Sequence, residues 1–163
     1  MSTGKVNVTW AILTYKDILV GECMEDIVRR LSLRLKMHKT SGTPVHHAAL
    51  LKKFLDHRGL KTEMIKGYCV IFDTKEACDH YWIRDTDSGL DLDVAFEVAK
   101  LKSPELQTLN PVLLETIPPG LNRSDETEWQ IRRENERLFE LFQQDSKAFW
   151  REAPQDVKDF RLN

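Results

Sequence analysis

The stretch of this chain whose residue types and spacing say most about chemistry is residues 59–95. His80 lies in a run typical of a β-strand, and the carboxylates Asp91 and Asp93 lie in the next such run. A cysteine hydrolase orients its general base by placing a carboxylate beside a histidine. The pattern therefore predicts a histidine–carboxylate pair with either carboxylate as partner, and its chemistry depends on whether a thiol faces His80.

The chain has three cysteines, Cys23, Cys69 and Cys78. An odd number without metal-ligand spacing argues against a disulfide framework and against a zinc site. Cys69 lies in an apolar run typical of a buried strand, which favours a packing role. Cys78 precedes His80 by two residues, so both side chains point to the same face of a regular strand. A direct pair is conceivable, but neighbours on one strand seldom aim at one substrate atom.

Cys23 is the thiol that the sequence favours for chemistry. Apolar residues at helical spacing predict an amphipathic helix from Glu22 to about Met37, with Cys23 in its first turn. The positive end of a helix lowers the pKa of a thiol there and raises its thiolate fraction. The acidic neighbours Glu22, Glu25 and Asp26 oppose this effect, and a half-buried packing thiol is the alternative.

Other helices and strands must position these side chains. A second helix begins with Thr43 as its N-cap and Pro44 at the first helical position, and Gly59 closes it in the left-handed conformation. Gly67 predicts a bulge between two strands, and a turn over residues 85–89 joins the following two. The predicted strands are Val6–Leu13, Lys61–Ile65, Tyr68–Phe72, Ala77–Arg84 and Leu90–Phe96.

The remaining chain is predicted to complete a single domain. Four prolines after Lys102 predict an irregular segment over about residues 103–123 that wraps one face of the sheet, and a last helix is expected over about residues 125–151. The core then spans about residues 6–97. The predicted fold class is α+β, with helices packed on a small antiparallel sheet. Aromatic residues of the last helix are interpreted as packing residues, namely Trp129, Phe142, Phe149 and Trp150.

Composition limits the classes of function. The chain is 41% hydrophobic and 31% charged, which is typical of a soluble globular protein. A net charge of -2 gives no support to a nucleic-acid surface. The sequence shows no signal-peptide pattern, and no run approaches the ~18 apolar residues of a membrane span. We therefore expect a cytoplasmic protein without nucleic-acid or membrane partners, and the oligomeric state stays open.

The segment from Gly42 to Ala95 resembles the core of the transglutaminase-like proteins, part of the wider papain-like group of cysteine hydrolases. The resemblance rests on a capped helix ending in ALLKKFLDHRGL, a strand ending in GY, a His-x-Trp strand and a Gly-x-x-x-Asp hairpin. It implies a helix packed on an antiparallel sheet. It also implies that a cysteine at the start of that helix faces a histidine and an aspartate on consecutive strands.

By this resemblance His80 is the family histidine, Trp82 the aromatic residue two positions on, and Asp93 the carboxylate. The usual position of the nucleophile falls at about Thr43 or Pro44, where this chain has no cysteine. Two expectations follow from that departure.

In the first expectation, Cys23 replaces the nucleophile and completes a triad with His80 and Asp93. The protein is then a thiol-dependent hydrolase or acyltransferase that acts on an amide or thioester of a peptide or protein. Backbone N–H groups at the start of the Cys23 helix would hold the oxyanion. In the second expectation, the fold is catalytically silent and serves as a protein-binding or structural module.

Adjacent histidines, His46 and His47, offer an alternative site. Together with His80 across the sheet they could supply imidazole ligands to a divalent metal. Adjacent residues on a helix point about 100 degrees apart, however, so both seldom face one ion. The sequence therefore favours one packing histidine and one solvated histidine, and it predicts neither a metal nor another cofactor.

Overall fold

The computed structural model describes residues 15–71, 76–102, 104–108, 111–123 and 129–162. Its helices are α1 (Tyr15–Met37), α2 (Pro44–His57), α3 (Val94–Lys102), α4 (Trp129–Gln144), α5 (Ser146–Glu152) and α6 (Gln155–Lys158), with a 3-10 helix at Pro104–Thr108. Its strands are β1 (Thr62–Ile71), β2 (Glu76–Asp85), β3 (Asp91–Leu92), β4 (Val112–Leu114) and β5 (Asn122–Arg123). None of the helices in these ranges combines the length and apolar character needed to cross a membrane. The predicted strand Val6–Leu13 lies outside them.

The strands form one small sheet in the order β3–β2–β1–β4. Neighbours along this path are antiparallel, whereas β5 pairs with β2 in parallel. Helix α2 packs against both central strands, and α1 packs mainly against α2 and α3. The predicted α+β class, with helices packed on a small sheet, is therefore confirmed.

The side chains of β2 alternate between the two faces of the sheet. Tyr81 and Ile83 join the helices in the hydrophobic core, and we call their side of the sheet the core face. His80, Trp82 and Arg84 lie on the opposite side, which we call the back face. The residues of β2 that could do chemistry therefore lie on the face away from the helical core.

The core contains large side chains from both the helices and the sheet. Full burial of one such side chain contributes about 1.5–3 kcal/mol to folding, so these residues dominate the stability of the fold. The fully or almost fully buried members include Ile27, Leu31, Val45, Leu50, Leu51, Leu55, Met64, Val94, Leu138, Phe149 and Val157.

Helix α2 begins and ends as the sequence predicts. Thr43 has an extended backbone, its hydroxyl accepts backbone N–H groups of the first turn, and Pro44 follows at the first helical position. His46 completes a capping box, because its Nδ1 accepts the backbone N–H of Thr43 at 2.9 Å. Gly59, just past the end of α2, has a φ of +85°. This confirms the left-handed termination.

Two predicted boundaries are wrong. Helix α1 already includes Tyr15, so a start at Glu22 is about two turns too late. Cys23 consequently lies in the interior of α1 and not in its first turn. Strand β1 runs without interruption from Thr62 to Ile71 in regular register with β2, so Gly67 is not a bulge.

Gly67 instead permits a close approach of two other segments. A Cβ atom at this position would lie 2.5 Å from the carbonyl oxygen of Leu114 and 2.6 Å from Cη2 of Trp82. The absence of a side chain at Gly67 thus lets the chain at the end of β4 lie directly on the back face beside the indole.

Residues 111–123, which we call the strap, run across the back face. Their first strand, β4, pairs with β1 at one edge, and their second, β5, pairs with β2. Between the two strands, Glu115 accepts a hydrogen bond of 3.2 Å from Arg84 on the back face. The strap therefore contains two short strands and is not wholly irregular.

The predicted strand Leu90–Phe96 is wrong for most of its length. The structure has only the two-residue strand β3 there, and helix α3 begins at Val94. The side chain of Asp93 accepts the backbone N–H of Phe96 at 3.2 Å, which satisfies a donor in the first turn of α3. This N-cap, together with the burial of Val94, outweighs the strand propensity of the segment.

The predicted C-terminal helix over residues 125–151 is divided in the structure. Helix α4 ends at Gln144 and α5 begins at Ser146. The carboxylate of Asp145 accepts the backbone N–H of Ala148 at 3.1 Å and so caps α5. An acidic residue that looked compatible with one long helix therefore starts a new one.

We predict that protonation of His46 destabilises the protein. Burial lowers the pKa of His46 most, and His47 and Arg137 lower it further, whereas Glu134 and Glu152 raise it. An unfolded histidine has a pKa of about 6.5, so the unfolded chain takes up the proton first. Stability is therefore complete above that pH and declines as the pH falls towards the lower pKa of the folded state.

We expect the Tm of the wild type, followed by circular dichroism, to fall more between about pH 7.5 and about pH 5.5 than the Tm of His46→Gln. Glutamine at this position can keep the capping box but does not titrate. His57→Gln, at an exposed histidine of the same helix, is the matched control and should behave as the wild type. Parallel pH profiles for His46→Gln and the wild type would contradict the prediction.

We also predict that Gly67→Ala lowers the free energy of unfolding by about 1–3 kcal/mol, because the added methyl group overpacks the contact with Leu114 and Trp82. Urea denaturation measures the change. Glu63→Ala, at an exposed position of the same strand, should change stability by no more than about 0.5 kcal/mol. Equal effects of the two substitutions would show that the strap does not depend on the close approach.

Candidate functional site

His80 and Asp93 form a hydrogen-bonded pair on the back face. His80 Nε2 lies 2.6 Å from Asp93 Oδ2. The two side chains are 12% and 13% exposed, so they are largely shielded but reachable from solvent. Strand β2 supplies the histidine, and the junction between β3 and α3 supplies the carboxylate. The structure thus brings together two of the three residues that the sequence proposes for a triad.

Both oxygens of Asp93 are engaged. Oδ1 accepts the backbone N–H of Phe96, and Oδ2 is bonded to His80. A carboxylate can only accept when ionised, so Nε2 of His80 carries the proton in this hydrogen bond. The neutral imidazole then has its lone pair on Nδ1. Asp93 therefore fixes both the position and the tautomer of His80, as a base requires.

Asp91, the other carboxylate of the pair noted in the sequence, has a different partner. Arg84 donates to Asp91 Oδ1 at 2.7 Å from Nε and to Oδ2 at 3.3 Å from Nη2. This bidentate hydrogen bond, followed by that to Glu115, raises the pKa of the Arg84 guanidinium. Asp91 thus belongs to an ion-pair network that fastens the strap, and the ambiguity between Asp91 and Asp93 is resolved as far as the partner of His80 is concerned.

Trp82 forms one wall of the site. Its ring centroid lies 6.3 Å from that of His80, and the residue is 1% exposed. The indole Nε1 has no hydrogen-bond acceptor among the described residues. A buried donor of this kind costs stability unless a partner is supplied, so the back face holds a polar group that the described part of the fold does not satisfy.

Two thiols share the back face with His80. Cys69 of β1 and Cys78 of β2 are direct cross-strand partners, and Cys78 lies two residues before His80. Cys69 is buried and Cys78 is exposed. Burial, followed by the nearby Asp93 and Cys78, raises the pKa of the Cys69 thiol to about 12. Cys69 is therefore protonated at neutral pH, and Cys78 is the thiol of this pair that solvent reaches.

Cys23 as the nucleophile remains a sequence prediction, but the argument that a helix end lowers the pKa of its thiol no longer applies. The backbone of Cys23 lies more than two turns inside α1, far from the positive helix end that was expected to lower its pKa. The N–H groups around it are those of a helix interior, so they cannot form the expected oxyanion hole. The side chain of Cys23 lies outside the described part of the structure.

Thr43, at the position where the resemblance expects a nucleophile, lies at the start of α2. Helix α2 packs on the core face, whereas His80 lies on the back face. The imidazole of His46, in the first turn of α2, lies 5.3 Å from the ring of Phe149 in the core. The start of α2 is thus occupied by a capping box and an aromatic contact.

The adjacent histidines have separate structural roles. His46 caps α2 from a buried position, while a ring nitrogen of the half-buried His47 lies 3.2 Å from the backbone oxygen of Ser41. His80 lies across the sheet from both. Within the ranges that the structure describes, no three histidine, cysteine or acidic side chains form a cluster that could hold a metal ion.

Sequence reasoning missed the direct opposition of Cys69 and Cys78 and the contact of Arg84 with Asp91. The signal for the first was present, because a hairpin that opposes residues 71 and 76 places residues 69 and 78 opposite each other as well. The register of β1 with β2 was the missing information. For the contact of Arg84 with Asp91, the only signal in the sequence was an arginine close to the carboxylates Asp91 and Asp93.

We predict that the stability of Asp93 variants follows the order wild type, Asp93→Asn, Asp93→Ala. Asparagine remains a good N-cap for α3, whereas alanine removes the cap at a cost of about 1 kcal/mol and leaves His80 without its partner. Urea denaturation gives the order. Asp87→Asn, in the exposed turn after β2, is the control and should be neutral. Equal stabilities of Asp93→Asn and Asp93→Ala would refute the capping role.

Comparisons with known proteins leave the site to be interpreted from its geometry. No protein-family model matches this chain. No solved structure matches it either. What the described residues offer for chemistry is an oriented His80–Asp93 pair with two thiols on the same face of the sheet.

Proposed function

We propose that this protein is a thiol-dependent hydrolase or acyltransferase with a transglutaminase-like core that departs from the family in one respect, since the start of α2 lies on the face of the sheet away from His80. The observation that carries the proposal is the hydrogen bond of 2.6 Å between His80 and Asp93 in a partly exposed position. Its substrate would be an amide or thioester of a peptide or protein, and its location the cytoplasm. The composition and the sequence resemblance support these finer points.

In this proposal Nδ1 of His80 is the base. It takes the proton from a cysteine, and the thiolate attacks the carbonyl carbon of the substrate to form a tetrahedral intermediate. The imidazolium, stabilised by Asp93, returns the proton to the leaving amine or thiol. Water or another acceptor then releases the acyl group from the cysteine sulfur, with His80 again acting as the base.

We favour Cys78 as the nucleophile, with Cys23 as the sequence-based alternative. Cys78 is exposed and shares the back face with His80. Residues two apart on a strand are separated by about 6.6 Å and project to the same face, so a Cys78 rotamer that turns towards the imidazole is required for His80 to act on the thiol. Cys69 is a poor candidate, because burial keeps it protonated.

The second candidate function is that of a catalytically silent module that binds a protein partner. It is favoured by the second hydrogen bond of Asp93, to the N–H of Phe96. Because that bond starts α3, the His80–Asp93 pair also serves to join β2 to α3, and this structural role needs no thiol.

The rate of alkylation of each cysteine by iodoacetamide, between about pH 6 and about pH 9, distinguishes the two functions. Trypsin separates the three cysteines into different peptides, so mass spectrometry reports each rate. If His80 activates a thiol, that thiol reacts well below the ordinary cysteine pKa of about 8.5, and His80→Ala slows it at least about tenfold at neutral pH. Cys78 is the expected residue.

His57→Ala, at an exposed histidine outside the site, is the matched control and should leave all rates unchanged. A fast reaction at Cys23 that depends on His80 would transfer the role of nucleophile to Cys23. Slow labelling of all cysteines, independent of His80, would rule out the catalytic proposal and leave the silent module. Hydrolysis of a peptide thioester by the wild type, lost in Cys78→Ser, would complete the support.

A further inference from the structure

Cys69 and Cys78 are positioned as a cross-strand dithiol. They are opposite each other in the antiparallel ladder of β1 and β2, and both are thiols in the structure. Directly opposed residues project to the same face, with Cβ atoms about 4.5–5.5 Å apart. The pair lies two positions from the end of the ladder, where residues 71 and 76 are opposed.

The hydrogen-bond phase of the ladder defines the backbone separation at this pair. Thr86 N–H donates to Lys61 O at 2.9 Å, which extends the register of β1 and β2 by one hydrogen-bonded pair. Hydrogen-bonded pairs recur at every second residue, so Cys69 and Cys78 are also such a pair, with Cα atoms about 5.5 Å apart. This is within the range of about 4.4–6.8 Å found for disulfides.

We propose that Cys69 and Cys78 are a reversible oxidation site at which a hydroperoxide joins β1 to β2 by a disulfide. The two thiols have different access to solvent: Cys78 is exposed, whereas Cys69 is 7% exposed. Oxidation therefore begins at Cys78, and Cys69 acts as the resolving thiol. The inference does not depend on the proposed hydrolase function, since neither step needs His80.

The reaction has two balanced steps. The Cys78 thiolate attacks one oxygen of the hydroperoxide, the O–O bond breaks, and the leaving oxygen takes up a proton as water or an alcohol. Cys78 is thereby oxidised to a sulfenic acid. The sulfur of Cys69 then attacks the sulfur of Cys78, the S–O bond breaks, and the hydroxyl group leaves as water with the proton of Cys69. One hydroperoxide is reduced and two thiols become one disulfide.

The geometry of the pair makes this disulfide a labile one. The Cβ atoms must approach from about 5 Å to about 4 Å, so the bond forms with local strain and is easily reduced. Burial of Cys69 keeps its thiol protonated, which slows the formation of the disulfide at neutral pH. The dithiol is therefore suited to a reversible response and not to a permanent staple.

The test uses the full chain, reduced and then exposed to a small excess of hydrogen peroxide. Trypsin cleaves after Lys66, Lys75 and Arg84, so Cys69 and Cys78 fall in peptides 67–75 and 76–84. We expect these two peptides to appear as one linked species, about 2 Da lighter than their sum because two thiol hydrogens are lost. Linking should be faster at about pH 9 than at about pH 7, and dithiothreitol should reverse it.

Several variants assign the roles of the thiols, so the test does not fail if one variant is unable to fold. Cys23→Ser and His80→Ala should both still form the link. In Cys69→Ser, dimedone should trap a sulfenic acid at Cys78, and in Cys78→Ser the buried Cys69 should remain a thiol. Oxidation of wild-type Cys78 to a sulfinic acid without a link, or a link from Cys78 to Cys23 or to a second molecule, would overturn the proposal.

Discussion

The carboxylate of Asp93 joins the end of the sheet to the start of a helix, and the arrangement of the back face depends on this junction. One oxygen accepts Phe96 N–H and starts α3, while the other is bonded to His80 Nε2. A shift of one residue at this point would move the carboxylate to the opposite face of the sheet. The imidazole would then lose the acceptor that determines its tautomer. The cap of α3 and the orientation of His80 therefore both depend on the carboxylate of Asp93.

The sequence predicted a histidine–carboxylate pair at His80 but left Asp91 and Asp93 open as partners, and it chose Asp93 only through the spacing in the resemblance. Asp93 is the carboxylate that is bonded to His80. The sequence failed to predict α3, because the segment has strand propensity and only the cap at Asp93 and core burial of Val94 select a helix. The prediction that Cys23 lies in the first turn of its helix was wrong for a related reason. The periodicity of an amphipathic helix predicts its apolar side but not where it begins, and the pKa argument needed the beginning.

The glycine at position 67 was correctly recognised as unusual for a strand, but it was wrongly interpreted as a bulge. A glycine within a strand marks either a bulge or a close approach of another segment, and the sequence alone does not distinguish them. Here the approaching groups are the carbonyl of Leu114 and the indole of Trp82. The register of β1 with β2 also places Cys69 opposite Cys78. The bulge prediction and the missed dithiol are separate errors, because the pairing of residues 71 and 76 is enough to oppose the two cysteines.

Hydrolysis and oxidation, if both occur, compete for the same sulfur. Each begins with the thiolate of Cys78, so any group that raises its thiolate fraction favours both reactions. A His80 that acts as a base would consequently make Cys78 more sensitive to hydroperoxides. The link to Cys69 would then withdraw the nucleophile from the site while β1 and β2 stay paired. In a silent module the same dithiol would still close across the strands, because its geometry comes from the ladder and not from the histidine. The proposed oxidation therefore depends on the sheet itself, whereas the proposed hydrolysis depends on the junction at Asp93.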